Sequence, residues 1–182
     1  MFEIGKVYRY PYDVMINGKI PEKVDGLPNF FYETKNELGA NNVKFQRGIH
    51  PIGAIKLADG SSRIPAIIIS SSPHKARTDM TPWEDDFDPD YGHIKYYGDA
   101  KNNLKKATDW PGNSLLLDMF SIYTSPNEIE RMIKGVPLVF FKRVEYDGRK
   151  KGNLLFQGYG IIESVELVTQ FDPKLSRSEE RR

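Results

Sequence analysis

The chain has 182 residues, of which 39% are hydrophobic and 12% aromatic, so it is long enough to close a single core without covalent staples. Its formal net charge is +1 and it contains no cysteine, which excludes a global basic excess, disulfides and cysteine-ligated zinc. No apolar run approaches the length of a membrane span, and the opening MFEIGKVYRY lacks the charged and apolar regions of a signal peptide; a soluble, cytoplasmic protein with no membrane partner is expected.

In chain order, Pro11, Gly18, Pro21, Gly26, Pro28 and Gly39 interrupt the first forty residues and predict irregular structure with one short strand near Lys6 to Tyr10. From Lys44 the pattern changes. GIHPIGAIKL and RIPAIIISSS flank ADGSS, and Asp59 and Gly60 are good turn residues, so a hairpin is expected with Ala66 to Ile69 as a buried strand. Ser70 to Gly112 holds little regular pattern beyond the strand-like HIKYYG, and a loop region of that length is more often functional than idle.

Helix signals follow. Asn113 or Ser114 is placed to cap a helix through Leu115, Leu116, Met119, Phe120 and Tyr123. Ser125-Pro126-Asn127-Glu128 reads as a capping box with proline at the first helical position, and Gly135 is placed to end that helix. VPLVFFKRVEY and GNLLFQGYGIIESVELV then read as strands around a YDGRKKG turn, before a polar SRSEERR tail. The sum is an α+β domain, mostly antiparallel strands in a curved sheet or partly open β-barrel with two short helices. One domain over 1–172 and a polar tail or linker over 173–182 are expected.

Enzyme signatures are missing. There is no G-x-x-x-x-G-K-[ST], no G-x-G-x-x-G after a strand, no G-x-S-x-G and no H-E-x-x-H. His50, His74 and His93 lack metal-ligand spacing, and the acidic residues Asp85, Asp86, Asp88 and Asp90 lack the glycine and terminal glutamate of an EF-hand. No catalytic residue, metal or cofactor is expected.

What remains is a reading chemistry. PWEDDFDPDYGHIKYYGD, Pro82 to Asp99, sets five carboxylates between Glu84 and Asp90 ahead of a tyrosine pair and a glycine. Basic residues gather around it: His74, Lys75 and Arg77 in SSPHKART; Lys101, Lys105 and Lys106; and Arg149, Lys150 and Lys151 in YDGRKKG. Basic loops bracketing an aromatic pocket suit a nucleic-acid reader whose net charge is near neutral, with backbone phosphates held at the rims and a base in the middle. Reading a modified base in duplex DNA requires taking it out of the stack, which calls for planar walls and a group for the pairing edge. Trp83, Tyr96 and Tyr97 offer the walls, and Asp85 or Asp86 offers an acceptor for a cytosine amino group.

At these residues the sequence resembles the SRA domains, which read methylated cytosine by base flipping and whose pocket runs aromatic-Glu-Asp-Asp and then Tyr-x-Gly. Here Trp83-Glu84-Asp85-Asp86 and Tyr96-Tyr97-Gly98 stand in that order. The resemblance implies Trp83 as one stacking wall, Tyr96 as the opposite wall and Asp86 as the edge-reading carboxylate, with Asp99 a rival for that role. DAKNN replaces the glycine-rich stretch that usually follows, and tryptophan stands where the first wall is usually tyrosine. From roughly Ile64 to Thr169 the wider pattern, PAIIISSSPHK through PWEDDFD, YYGD and GYGIIESVE, is similar to the amino-terminal DNA-reading domain of AspBHI-like modification-dependent (type IV) restriction endonucleases. That implies an SRA-like fold and a binding module for modified cytosine, 5-methylcytosine first, in double-stranded DNA. It also implies a role in defence against foreign DNA, with a nuclease domain in the same longer chain or in a partner.

Three alternatives stay open. A phosphorothioate-DNA reader would cradle sulfur with Pro73 and His74, a PUA-like domain would bind RNA or protein, and an enzyme would act on a small ligand in the acidic loop. Insensitivity to Trp83 and Asp86, preference for RNA, and metal-dependent turnover are their respective signatures.

Overall fold

Ala66-Ile67-Ile68-Ile69 is apolar at every position, and such a strand has to be covered on both faces. The computed structural model describes residues 2–10, 19–39, 43, 48–71, 84–88, 92–98 and 106–168. In chain order these form β1 (Val7–Arg9), β2 (Lys23–Val24), β3 (Leu27–Pro28), α1 (Phe30–Leu38), β4 (Ile49–Pro51), β5 (Ile55–Lys56), β6 (Ser62–Arg63) and β7 (Ile67–Ser71). After them come β8 (Asp86–Asp88), β9 (His93–Lys95), a 3-10 turn (Ala107–Asp109), α2 (Pro111–Tyr123), α3 (Glu128–Lys134), β10 (Leu138–Arg143) and β11 (Asn153–Gly160). The chain divides into two compact units, Met1–Tyr97 with Val136–Gly160 and Gly98–Gly135 with Ile161–Arg182.

The first unit is built on a five-stranded sheet of order β1-β11-β10-β7-β4. Its pairs are antiparallel except β10 with β7, which run parallel. Every residue of β7 is buried, as its composition requires. One face carries Ile68, Val139, Phe141, Leu154 and Phe156 into a core closed by Phe2, Tyr8, Tyr10 and Phe30. Phe2, Phe30 and Phe156 lie around Phe141 with ring centroids 5.2 to 5.3 Å away, within the range where edge-on and tilted aromatic pairs attract. The expected hairpin around Asp59 and Gly60 forms as β5 and β6, while β4 pairs β7 outside it. Among the described residues the sheet is open, with β1 and β4 at its edges, and does not close into a barrel.

Three α-helices are present among the described residues, which corrects the expectation of two and of an irregular first forty residues. The missed one is α1. Pro28 and Gly39, which look like breakers, are its borders: buried Asn29 is the N-cap, accepting from Phe31 N at 3.0 Å, and Gly39 is the C-cap. Only two of its nine residues, Phe30 and Thr34, are buried, so tertiary packing of Phe30 rather than a long periodic face holds it.

In the second unit α2 starts at Pro111, ahead of the expected Asn113 or Ser114 cap, because proline suits the first helical turn. Asn113 instead donates from Nδ2 to the Ala107 carbonyl at 2.7 Å. In α3 the N-cap is Asn127, accepting from Glu130 N at 3.2 Å, so Pro126 precedes the helix rather than opening it. Asparagine caps at least as well as serine, and this start puts Glu128 and Glu130 in the first turn against the helix dipole. Ser125 Oγ bonds Glu130 Oε2 at 2.7 Å, and Gly135 ends the helix as expected. No described helix is long and apolar enough to cross a membrane.

Candidate nucleic-acid interface

The parallel pairing of β7 and β10 decides which loops meet at one end of the sheet. Ser71 pairs with Lys142, so β7 finishes beside the strand end from which the YDGRKKG turn departs. Arg9 pairs with Asn153 at the same end, and Gly48 accepts there from Ser70 N at 2.7 Å. A parallel neighbour therefore brings the start of the SSPHKART segment and the basic tip to a common edge, which antiparallel pairing would have set apart.

The acidic and aromatic stretch forms a hairpin against the sheet. β8 and β9 pair antiparallel with Asp86 opposite Lys95, Phe87 opposite Ile94 and Asp88 opposite His93. Phe87 is buried and meets Phe140 of β10 edge-on, at 5.8 Å between centroids. Because side chains alternate across a strand, anchoring Phe87 inward sends Asp86 and Lys95 to the other face, and Asp86 is exposed. Tyr96 stays with Phe87, ring to ring at 6.4 Å, and its hydroxyl reaches Gly48 so closely that a Cβ there would collide with it. Tyr97 lies under Lys95, whose Nζ is 5.4 Å from the ring centroid.

The two acids offered as edge readers differ in employment. Asp85 accepts the Tyr97 backbone N–H at 2.9 Å, tying the residues before β8 to those after β9. Asp86 projects outward as the first residue of β8. Gly98, the glycine of the Tyr-x-Gly motif, belongs to the second unit, where a Cβ would strike the Asn113 side chain.

The basic tip is a tight turn with Asp147 at φ 50° and Gly148 at φ 71°, closed by Tyr146 and Arg149 exchanging backbone hydrogen bonds at 3.1 and 3.0 Å. Lys150 and Lys151 are exposed, and Arg149 ion-pairs with Asp25. Arg9 Nε donates to the same Asp25 oxygen at 2.9 Å. The Arg9 hydrogen bond, with Arg149 adding to it, holds the Asp25 carboxyl below its ordinary range.

Of the expected site residues, then, Asp86, Tyr96 and Tyr97 come together on one hairpin, with Tyr96 on its inward side, and Arg149, Lys150 and Lys151 share the tip. Trp83, His74, Lys75, Arg77, Asp99 and Lys101 lie outside the described residues. Arg9 and Asp25 were not anticipated. Each is far from Arg149 in sequence, and no spacing rule links a residue of β1, the turn between β2 and β3 and the tip before β11.

Residues 29–173 match the family model described as restriction endonuclease AspBHI N-terminal. Among solved structures, the chain is similar to MspJI restriction endonuclease in complex with a 27-mer oligonucleotide, at 33% identity and TM-score 0.77 over 94% of this chain. It spans 38% of the length of that relative. The DNA recognition domain of the cytosine modification-dependent restriction endonuclease LpnPI shares the fold at 17% identity and TM-score 0.59, covering 93% of this chain and 66% of that one. The DNA modification-dependent restriction endonuclease AspBHI does so at 21% and 0.53, covering 91% and 62%. No curated protein sequence matches the chain.

Proposed function

The chain belongs to the restriction endonuclease AspBHI N-terminal family, and from that premise we propose that it recognises modified cytosine in duplex DNA and directs a nuclease domain to it. The observation that carries this reading is the family match over 29–173 together with 33% identity to a restriction endonuclease solved with an oligonucleotide. It is a recognition module and not the catalytic part of such an enzyme.

The mechanism follows from the β8–β9 hairpin. A cytosine swung out of the duplex presents two ring faces and an amino group on its pairing edge. Tyr96, half-buried and held by Phe87 and the close approach of Gly48, is a wall whose orientation is set before DNA arrives. Trp83 is the opposite wall in this reading. Asp86, exposed, accepts from the amino group, with Asp99 the competing acceptor. Lys95 over the Tyr97 ring supplies a cation beside the same hairpin. Arg149, Lys150 and Lys151, with His74, Lys75, Arg77 and Lys101, hold phosphates around the opening and contribute affinity without sequence information. We assign 5-methylcytosine as the preferred base.

The test is competition binding at fixed salt, with a labelled 5-methylcytosine duplex against unlabelled unmodified, hydroxymethylated or phosphorothioated copies. Displacement by cytosine-modified competitors alone supports the assignment. A winning phosphorothioate copy moves recognition to the backbone, and equal competition by all copies removes the pocket.

A further inference from the structure

The basic tip is built more firmly than solubility requires. A lysine-rich hairpin end that only keeps a sheet edge in water needs no fixed geometry. Here Arg9, 17% exposed, donates from Nη1 to the carbonyls of Lys151 at 2.9 Å and Gly152 at 2.7 Å and to Asn153 Oδ1 at 3.3 Å. Its Nε takes Asp25. Asn153 Nδ2 returns a bond to the Arg149 carbonyl at 2.9 Å, and Gly152, at φ 79°, leaves the space that the Arg9 guanidinium fills. Backbone, side chain and turn geometry all fix the same few residues.

Within that frame the two arginines have different work. The Arg9 guanidinium is spent on internal acceptors. Arg149 is 51% exposed and, among the described residues, Asp25 is the only partner of its guanidinium, through Nη1. A guanidinium has five N–H donors in a rigid fork, so one edge stays available for a second anion. Two guanidiniums on one carboxylate leave an uncompensated positive charge, and exposed Lys150 and Lys151 follow directly.

We propose that Asp25 and Arg9 are positioning residues that hold Arg149 as a preformed seat for a DNA backbone phosphate. This rests on the DNA-reading assignment. It makes a prediction whose sign is unusual: Asp25→Asn removes a negative charge near the DNA, which by charge alone tightens binding, yet it also releases the fork from its set orientation, which weakens it.

Anisotropy titrations of the 182-residue chain with methylated and unmodified copies of one duplex, across a salt series, decide the matter. Asp25→Asn is expected to bind both duplexes about tenfold more weakly with their ratio preserved. Arg149→Ala is expected to lower the salt slope by about one. Unchanged or tighter binding by Asp25→Asn, or an unchanged slope in Arg149→Ala, overturns the proposal; should Asp25→Asn fail to fold, the exposed Arg149→Ala variant carries the test. Discrimination by the wild type with a tightened Asp25→Asn variant removes the seat and keeps the base reading. Equal wild-type affinity for both duplexes with a reduced slope in Arg149→Ala removes the base reading and keeps the seat, and no DNA binding by the wild type removes both.

Discussion

Two hairpins of the first unit are held by opposite means. The β8–β9 hairpin is anchored by an apolar plug, Phe87 against Phe140, so strand alternation turns Asp86 and Lys95 toward solvent. Among the described residues the Tyr146 to Gly152 tip has no such plug and is aimed by ions: Arg9 and Arg149 converge on Asp25, across 16 and 124 residues of chain. An apolar anchor carries no charge to screen or titrate, whereas an exposed ionic latch weakens as salt rises and as pH falls through the pKa of its carboxylate. In the proposed reading, this pairing lets the hairpin assigned the base contacts keep its shape while the tip assigned the phosphates responds to ionic conditions.

The strongest way to break that contrast is Phe87→Ala, expected to destabilise the protein by about 3–5 kcal/mol in urea unfolding at low and high salt alike. A loss below about 1 kcal/mol would mean that the hairpin is held by something else. Asp86→Ala sharpens the division further. It is expected to leave stability unchanged and background DNA binding salt-sensitive while removing about 1–3 kcal/mol of preference for the modified duplex. Equal loss for modified and unmodified duplexes would take Asp86 out of the reading role.

On the ionic side, Gly152→Ala puts a Cβ into the Arg9 guanidinium at a left-handed backbone position and is expected to cost about 1–2 kcal/mol in thermal unfolding. The smallest effect is the acid response of the latch. Asp25 has a lowered folded-state pKa, so the order it confers is present above the ordinary carboxylate value of 3.8 and is lost as pH falls through the lower folded value. Amide exchange or chemical shift of Gly152 followed through an acid titration reads this directly. A transition above pH 3.8 would show that Asp25 does not hold the tip.

How much of this was legible beforehand depended on how local its causes are. β7 and β10 could be read because their apolar runs declare themselves, β11 as far as Gly160, past which the strand expected over GIIESVELV does not continue, and α3 from its acidic first turn and terminal glycine, with Asn127 in place of the expected Ser125 as the cap. α1 was hidden: a helix of nine residues with two buried ones has too little periodicity to outweigh the proline and glycine at its ends. The parallel register of β7 and β10 was equally invisible, since no local pattern encodes which distant strand becomes a neighbour. At the site, the aromatic and acidic order pointed to Asp86, Tyr96 and Tyr97, but only alternation in the folded hairpin separates outward Asp86 from inward Tyr96. Residue chemistry alone left Asp85 and Asp86 both open; in the fold Asp85 accepts the Tyr97 amide while Asp86 is exposed.

The most direct test of the central claim is photocrosslinking with a duplex carrying one 5-iodocytosine in place of the modified base, followed by peptide mapping. The account predicts a crosslink within Trp83 to Tyr97, at an aromatic residue of the β8–β9 region, that Asp86→Ala strongly reduces. A crosslink confined to the Tyr146 to Gly152 tip, or none above a duplex lacking the iodinated base, would contradict it.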